Sequence, residues 1–507
     1  MKDITLEDIL NPIFWTDGYK MCHKDQYPVG MEWIYETWTP RQSRVDGIDH
    51  VIFYGLQGVL HELNQSFKEH FFNQPIGAIE KKYKELVYEV FKSSNMEFAQ
   101  NYDTTHLREL HELGYLPLKI KALPEGTFTP IGVPMFTIEN TRPEFFWLPG
   151  YLESQLSSYI WSAMTSATMA DKYKRMLLKY AKITDDEDKV FVQAGDFSMR
   201  GMSSPESSIR TAGGHLLSFG VSSSVNARSY LMKYYEADTD VVMYAPSTEH
   251  SVMCSYGEDE YNAYKQLITK IYPSGNVSIV SDTYDLWNVV DEVLPRLKKE
   301  INDRNGKIII RPDSGDPVKI LCGDKEAANE TVRKGIVERL YEEFGGRVNE
   351  KGFKVLNPKI GVIYGDSITP ERTLDICEKL MNKGLATTNV NLGIGSYTYQ
   401  YRTRDTFGFA LKGTAEIQNG QFKMIQKRPA TDSGNFKKSN RGMVAVVKED
   451  GQLKCIDGLS PDTEKEVKNN LLKDVYVDGK ILTRYKFGEL RAKIKEESQK
   501  IYEHDRK

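Results

Sequence analysis

Six short stretches of this chain place chemically capable residues directly behind an apolar run. Residues 189–200 (KVFVQAGDFSMR) end in Asp196-Phe197-Ser198-Met199-Arg200. An aromatic ring and a guanidinium three residues apart can hold a flat ligand and the anion attached to it. Residues 241–250 (VVMYAPSTEH) end in Glu249-His250. Histidine is both a nucleophile and a proton shuttle, and its tautomer is normally fixed by a carboxylate on the other ring nitrogen. Asp285, at the tip of residues 277–285 (VSIVSDTYD), is the candidate partner. Residues 307–317 (KIIIRPDSGDP) bring Arg311, Asp313, Ser314 and Asp316 together, with Gly315 and two prolines to fix the turn. Residues 359–367 (KIGVIYGDS) and 390–396 (VNLGIGS) supply the glycine-rich tips Gly365-Asp366-Ser367 and Gly393-Ile394-Gly395-Ser396. Glycine lets backbone N–H groups approach phosphate oxygens, and Asp366 suits sugar hydroxyls.

The elements that must position these tips follow from the runs themselves. Ile308, Ile309 and Ile310 form an all-apolar, β-branched segment suited to a strand buried on both faces of a parallel sheet. Stretches of helical periodicity separate most of the runs. Alternating strand and helix gives parallel strands whose C-terminal ends open on one side, so six polar tips converge on one mouth. Taken singly, a tip such as 311–317 reads better as a capped turn; convergence favours a ligand site. Ser204-Pro205 opens a helix as N-cap and first helical residue. Beyond the last tip, Arg402, Arg404, Lys412, Lys427, Arg428, Lys437, Lys438 and Arg441 form a basic cluster fit to gather phosphates, or a solvated basic face.

Composition narrows the class. The 507 residues are 40% hydrophobic and 27% charged, enough for a large core and two domains. A net charge of −4 gives no general bias toward nucleic acid. The mixed-charge N-terminus does not read as a secretory signal, and no 18-residue apolar stretch exists. Five scattered cysteines without a CxxC pair suggest a reducing, cytoplasmic setting and no structural zinc. There is no GxxxxGK[ST], and the single GxG is followed by tyrosines rather than a helix start, against a P-loop or a Rossmann dinucleotide site.

Outside the strand-and-tip region the pattern is mixed. Residues 11–27 alternate aromatic and polar and suit no simple core element, and residues 33–44 read as an alternating strand ending in a basic turn. Helical patterns cover residues 51–72 and 79–91, with a long one from 150 to 181. Short strands are expected over 116–139, and hairpins over 407–427 and 442–457 with turns at Asn419-Gly420 and Asp450-Gly451. The last residues, 487–507, read as a charged, solvated helix. The expected fold is α/β: a catalytic barrel over residues 149–398, and an α+β domain built from 1–148 and 399–507.

Read together, these residues resemble the nicotinamide phosphoribosyltransferase family, in the nicotinamide/nicotinate branch of the type II phosphoribosyltransferases. The likeness spans nearly the whole chain. It runs through Thr16-Asp17-Gly18-Tyr19-Lys20, residues 23–28 (HKDQYP), Asp196-Phe197, Arg200-Gly201, Ser203-Ser204 and Glu206. It continues through Glu249-His250-Ser251, residues 280–285 (VSDTYD), 309–315 (IIRPDSG), Pro317, Gly365-Asp366, Thr403-Arg404-Asp405 and Lys412.

The resemblance implies an irregular α/β barrel, a homodimer with shared active sites, and transfer of phosphoribosyl from phosphoribosyl pyrophosphate to nicotinamide, with Mg²⁺ carried on the diphosphate or ATP. ATP hydrolysis would be coupled through phosphorylation of His250, oriented by Asp285 and assisted by Glu249. The ring would stack between Phe197 and Tyr19 of the other subunit, bordered by Arg311, with Ser223, Tyr244 and Ser281 in the same substrate-binding set. Asp313 and Asp366 would address the ring and ribose. Arg200, Arg404, Gly365 and the Gly393, Gly395 and Ser396 backbone would meet phosphates, and Lys412 and the partner's Arg41 the diphosphate. Ser223 stands where these enzymes usually carry Asp, Tyr244 where they carry Ser, and Gly361 where they carry Arg. Ser396-Tyr397 interrupt a glycine run. Nicotinate phosphoribosyltransferase is the alternative activity; a non-catalytic signalling or scaffold relative is a third.

Overall fold

The computed structural model describes residues 4–429 and 439–504. Lys437 and Lys438 of the basic cluster lie outside them. The chain divides into two compact units, the first formed by Met1–Thr165, Lys233–Glu236 and Arg402–Leu490, the second by Ser166–Met232, Ala237–Tyr401 and Arg491–Lys507.

The first unit holds a seven-stranded antiparallel sheet to which both ends of the chain contribute. Met31–Thr39 pairs on one side with Phe136–Asn140 and on the other with Ala410–Gln418. Trp38 is fully buried and stacks between Phe136 and Phe409, at centroid distances of 5.7 and 5.4 Å. Burial of such a ring contributes roughly 1.5–3 kcal/mol, with a further contribution from stacking. The Asn419-Gly420 and Asp450-Gly451 turns both have positive φ at each residue, the geometry that matches hairpin twist.

The second unit carries the parallel strands. Their order is Val221–Ser222, Ala194–Asp196, Val390–Ile394, Ile360–Tyr364, Ile308–Arg311, Val277–Val280. Every neighbouring pair is parallel. Ile308 and Ile310 are fully buried, while Ile309 on the opposite face is only half-buried. The two edge strands are joined through residues 241–248: Met243 makes a parallel bridge to Val221, and Ser247 one to Ser278. The sheet therefore curls into an irregular α/β barrel.

Three expectations change. Residues 241–250 form no strand, because Pro246 has no N–H to offer a ladder; single bridges replace continuous pairing. The helical pattern over 51–72 begins as a strand, His50–Phe53, paired with Thr127–Pro130. The β-branched and aromatic run there favours extension, and Gly55 at φ +106° breaks it before the Leu56–Phe67 helix. The tail helix Phe487–His504 is not wholly solvated: Phe487, Leu490, Ile494 and Ser498 are buried, at three- and four-residue spacing.

Candidate active site

The strand tips of the second unit line one cavity of about 1390 Å³. Phe197, Arg200, Ser223, Tyr244, His250, Arg311, Asp313, Gly365, Asp366, Gly395 and Ser396 all face it. That gathering is a consequence of parallel pairing, because every strand delivers its C-terminal end to the same side.

The aromatic corner is built on glycine. A Cβ at Gly393 would sit 2.6 Å from the Phe197 ring, so the ring packs directly on that backbone. Tyr244 meets Phe197 edge-on, centroids 6.0 Å apart. Phe197 follows Asp196, a fully buried carboxylate that accepts hydrogen bonds from Ser198 N (3.0 Å), Ser198 Oγ (2.6 Å), Ser222 Oγ (2.8 Å) and Ser224 Oγ (3.3 Å). This network fixes the turn that aims the ring. Ser223 donates its N–H to the Asp196 carbonyl at 2.9 Å and presents a neutral side to the cavity.

The polar corner spans two adjacent tips. Asp282, directly after the Val277–Val280 strand, accepts through Oδ2 from Asp313 N (2.9 Å), Ser314 N (2.7 Å) and Ser314 Oγ (2.6 Å). Its Oδ1 has no hydrogen-bond partner and stands 3.9 Å from His250 Nε2. Asp313 Oδ2 lies at the same distance from Nε2, and His250 Nδ1 is 3.2 Å from Thr283 Oγ1. Burial pushes the Asp313 carboxyl above its ordinary value; Arg311 and His250 oppose this, while Asp282 and Asp366 add to it. Glu260 is pushed up to about 7 by burial and by Asp285 and Asp282. Arg311 donates through one terminal nitrogen to the Thr248 carbonyl at 2.6 Å, and its buried Nε is left without a partner. Tyr264 donates to the buried Ser281 hydroxyl (2.8 Å), which supports the Arg311 backbone N–H from below the tip.

The glycine-rich corner is strained. Ser367 adopts φ +57°, uncommon for a residue with a Cβ and frequent at ligand-contacting turns. A Cβ at Gly365 would sit 2.2 Å from Asp313 Oδ1, so a side chain there would push that carboxylate from its place. Arg372 donates to the Ser367 carbonyl at 2.6 Å and also lines the cavity.

Other expected site residues are held by neighbours or belong to the first unit. The carboxylates within 4 Å of His250 among the described residues are Asp282 and Asp313; Asp285 instead caps the next helix through Oδ1, accepting from Trp287 N and Asn288 N at 2.9 and 3.2 Å. Glu249 is bound by the Ser251 hydroxyl. Gly393 and Ser281 are not among the residues that line the cavity. Tyr19, Arg41, Arg404 and Lys412 belong to the first unit. There Tyr19 is 58% exposed, Arg41 Nε donates to the Gly408 carbonyl (3.0 Å), Arg404 pairs with Asp405, and Lys412 reaches Glu153 at 3.4 Å. Sequence reasoning missed Asp282 and Arg372. The signal for Asp282 was present: an Asp preceding an apolar helix, as Asp285 does, is an N-cap, and Asp285 Oδ1 takes both hydrogen bonds of that cap. The preceding acid in the same motif keeps one oxygen, Oδ1, open toward His250.

A curled parallel sheet whose tips hold an aromatic shelf, guanidinium groups, carboxylates and glycine turns defines an enzyme of the type II phosphoribosyltransferase class. The comparisons agree: residues 192–480 match the nicotinate phosphoribosyltransferase (NAPRTase) family, and residues 11–120 match the nicotinamide phosphoribosyltransferase N-terminal domain. The chain belongs to the NAPRTase family. It is 43% identical over 500 residues to nicotinamide phosphoribosyltransferase of Acinetobacter baylyi, covering 96% of this chain and 97% of that one. Among solved structures, nicotinate-nucleotide pyrophosphorylase from Pyrococcus furiosus superposes with TM-score 0.58 at 16% identity, over 98% of this chain and 97% of that one. Human nicotinic acid phosphoribosyltransferase gives TM-score 0.55 at 15% identity, over 95% and 93%. The two structures share the fold.

Proposed function

We propose that the chain transfers phosphoribosyl from phosphoribosyl pyrophosphate to nicotinamide, giving nicotinamide mononucleotide and pyrophosphate in NAD salvage. The observation that carries this is the meeting of Phe197, Arg200, Arg311, Asp313 and Asp366 on one cavity in a chain whose 43%-identical relative bears that activity's name. The pyridine rests on Phe197, and its ring nitrogen attacks the anomeric carbon as the bond to diphosphate breaks. Positive charge builds on the sugar while negative charge builds on the leaving group. Arg200 and Arg372 hold the phosphates, stabilising the transition state more than the ground state. Mg²⁺ carried on the diphosphate or ATP would supply charge neutralisation of the leaving oxygens, and Asp313 and Asp366, hard oxygen donors on the cavity wall, would face it.

ATP coupling runs through His250: a ring nitrogen bonds to the γ-phosphorus as the bond to ADP breaks, and water later releases phosphate. Supporting this, the imidazole is half-exposed on the cavity wall with the Asp282 and Asp313 carboxylates both 3.9 Å from Nε2. A homodimer brings Tyr19 and Arg41 of a second copy to the base and the diphosphate, and the enzyme works in the cytoplasm. No helix among the described residues is long and apolar enough to cross a membrane. Nicotinic acid is the second reading, favoured by one feature: Ser223 and Tyr244 beside Phe197 are neutral, so no carboxylate there repels an acid.

The test is incubation with phosphoribosyl pyrophosphate, Mg²⁺, ATP and each pyridine in turn, with identification of the mononucleotide formed. A kcat/KM at least ~10-fold higher for nicotinamide supports the proposal, and the reverse ratio replaces it with the acid.

A further inference from the structure

The wall of the strand-tip cavity beside Phe197 is held by a side chain that does not itself line it. Arg491 of the tail helix reaches three backbone carbonyls of the second unit. Its Nε donates to the Leu216 carbonyl at 2.6 Å, and one terminal nitrogen donates to those of Phe219 at 3.2 Å and Val241 at 3.0 Å. The guanidinium also lies against the Phe191 ring, 5.3 Å from its centroid. A planar fork of donors holds several carbonyls at set distances, which a single ammonium on a flexible stem cannot do.

Two of these carbonyls belong to segments that lead into the aromatic corner. Phe219 stands four residues before Ser223, and Val241 three before Tyr244, and both of those residues line the cavity. The two segments meet at an isolated parallel bridge, Val221 to Met243, beside a hydrogen bond from Met243 N to the Gly220 carbonyl at 2.8 Å. Gly220 N in turn donates to the Phe191 carbonyl at 2.9 Å. Packing at this seam is tight: a Cβ at Gly220 would sit 2.3 Å from Met243 Cε and 2.6 Å from Phe191 Cε1. From the seam, Val221 pairs with Gly195 and Ser222 with Asp196, on the strand that leads into Phe197. The barrel is thus closed here by a bridge rather than a ladder, and Arg491 is bonded to both sides of it.

We propose that Arg491 is a positioning residue for the base pocket. By tying Phe219 to Val241 it sets the spacing of Ser223 and Tyr244 against Phe197, and so how tightly the pyridine is held. The inference rests on the pyridine substrate proposed above. Phosphoribosyl pyrophosphate should feel the residue little, because Gly365, Asp366, Arg372 and Ser396 follow other strands.

The test compares the full-length parent with Arg491→Ala and Arg491→Lys by steady-state kinetics and amide hydrogen exchange. In Arg491→Ala the KM for the preferred pyridine should rise about fivefold or more, with kcat and the KM for phosphoribosyl pyrophosphate within about twofold of the parent. Peptides covering 217–224 and 241–248 should exchange faster, and those covering 308–311 and 360–364 at the parental rate. Arg491 also borders a separate cavity of about 750 Å³, through which a small cation can reach its vacated place. About 20 mM guanidinium, far below denaturing concentrations, should therefore restore the pyridine KM, and equal sodium chloride should not. Arg491→Lys should raise that KM about threefold, and it carries the test if the alanine variant does not fold. A lower kcat with an unchanged pyridine KM means that Arg491 only stabilises the fold, and overturns the proposal. Faster exchange without a change in KM, or equal rescue by sodium chloride, also overturns it. A parent that converts neither pyridine overturns the proposed function, and this inference with it; an active parent with unchanged variants overturns this inference alone.

Discussion

Two carboxylates stand at strand ends of the same curled sheet, and their surroundings differ. Asp196 is fully buried and accepts four hydrogen bonds from serine groups around it. Asp313 is half-buried on the cavity wall; its own N–H is held by Asp282, and its carboxylate faces Arg311, His250 and Asp366 without a hydrogen bond to any of them. The contrast separates two uses of one residue type. A carboxylate whose lone pairs are filled by the protein fixes a turn, whereas one whose lone pairs are open awaits a ligand.

The largest expected effects put this division to work. Asp313→Ala should lower kcat/KM for nucleotide formation by about 10²–10⁴-fold with the thermal midpoint nearly unchanged, as steady-state kinetics and calorimetry can measure. Asp196→Ala should do the opposite. Three buried serine hydroxyls lose their acceptor, and the loss of roughly 2–4 kcal/mol should appear as a lower denaturant midpoint. Activity per folded molecule should fall much less than in Asp313→Ala. If Asp196→Ala proves as stable as the parent, the serine network is not what holds the Phe197 turn.

The same reasoning separates Asp282 from Asp285. Asp282→Asn keeps the shape but removes the charge facing His250, so ATP stimulation of the reaction should drop about tenfold. Asp285→Asn retains a good helix cap and should leave that stimulation within about twofold. Equal losses in the two variants would show that the helix start, rather than the charge beside the imidazole, sets His250 in place.

These pairs also show where sequence reading succeeds and where it stops. The runs at 308–310, 360–364 and 390–394 were legible as strands because nothing but a buried sheet suits Ile-Ile-Ile or Val-Ile-Tyr between charged ends. Once the strands were parallel, the shared mouth followed from topology alone. The choice between Asp282 and Asp285 did not follow, because both stand in one turn and only the hydrogen-bond pattern tells an N-cap from a carboxylate that turns one oxygen toward His250. Segment 241–248 was misread as a strand because its apolar residues suit one, while Pro246 and the curvature of the sheet limit it to isolated bridges. The buried stripe on the tail helix was hidden by the charges that separate Leu490, Ile494 and Ser498.

A smaller effect is expected at the aromatic corner. Tyr244→Ser removes the ring set edge-on to Phe197 and widens the base pocket without introducing charge. The ratio of kcat/KM for nicotinamide to that for nicotinic acid should move by about tenfold or less, since a hydrophobic wall discriminates by only about 1–3 kcal/mol. Ser223→Asp, by contrast, adds the charge that an acid must meet. It should depress nicotinic acid use more than nicotinamide use.

The smallest effect is a dependence on pH that the open Asp313 carboxylate contributes. Asp313 is held above its ordinary value in the folded protein, so between the unfolded and folded values the native state binds more protons than the unfolded one. Stability from this group is therefore fully present below the ordinary Asp value and is lost as pH rises through the folded value. Partial exposure screens the effect, so a shallow slope is expected. Denaturant titrations of the ligand-free protein across the acid range should show stability falling with pH more steeply in the parent than in Asp313→Asn, once the slope common to both is subtracted. A parent and a variant with parallel curves would mean that the Asp313 carboxyl is already satisfied in the free enzyme, which would erase its distinction from Asp196.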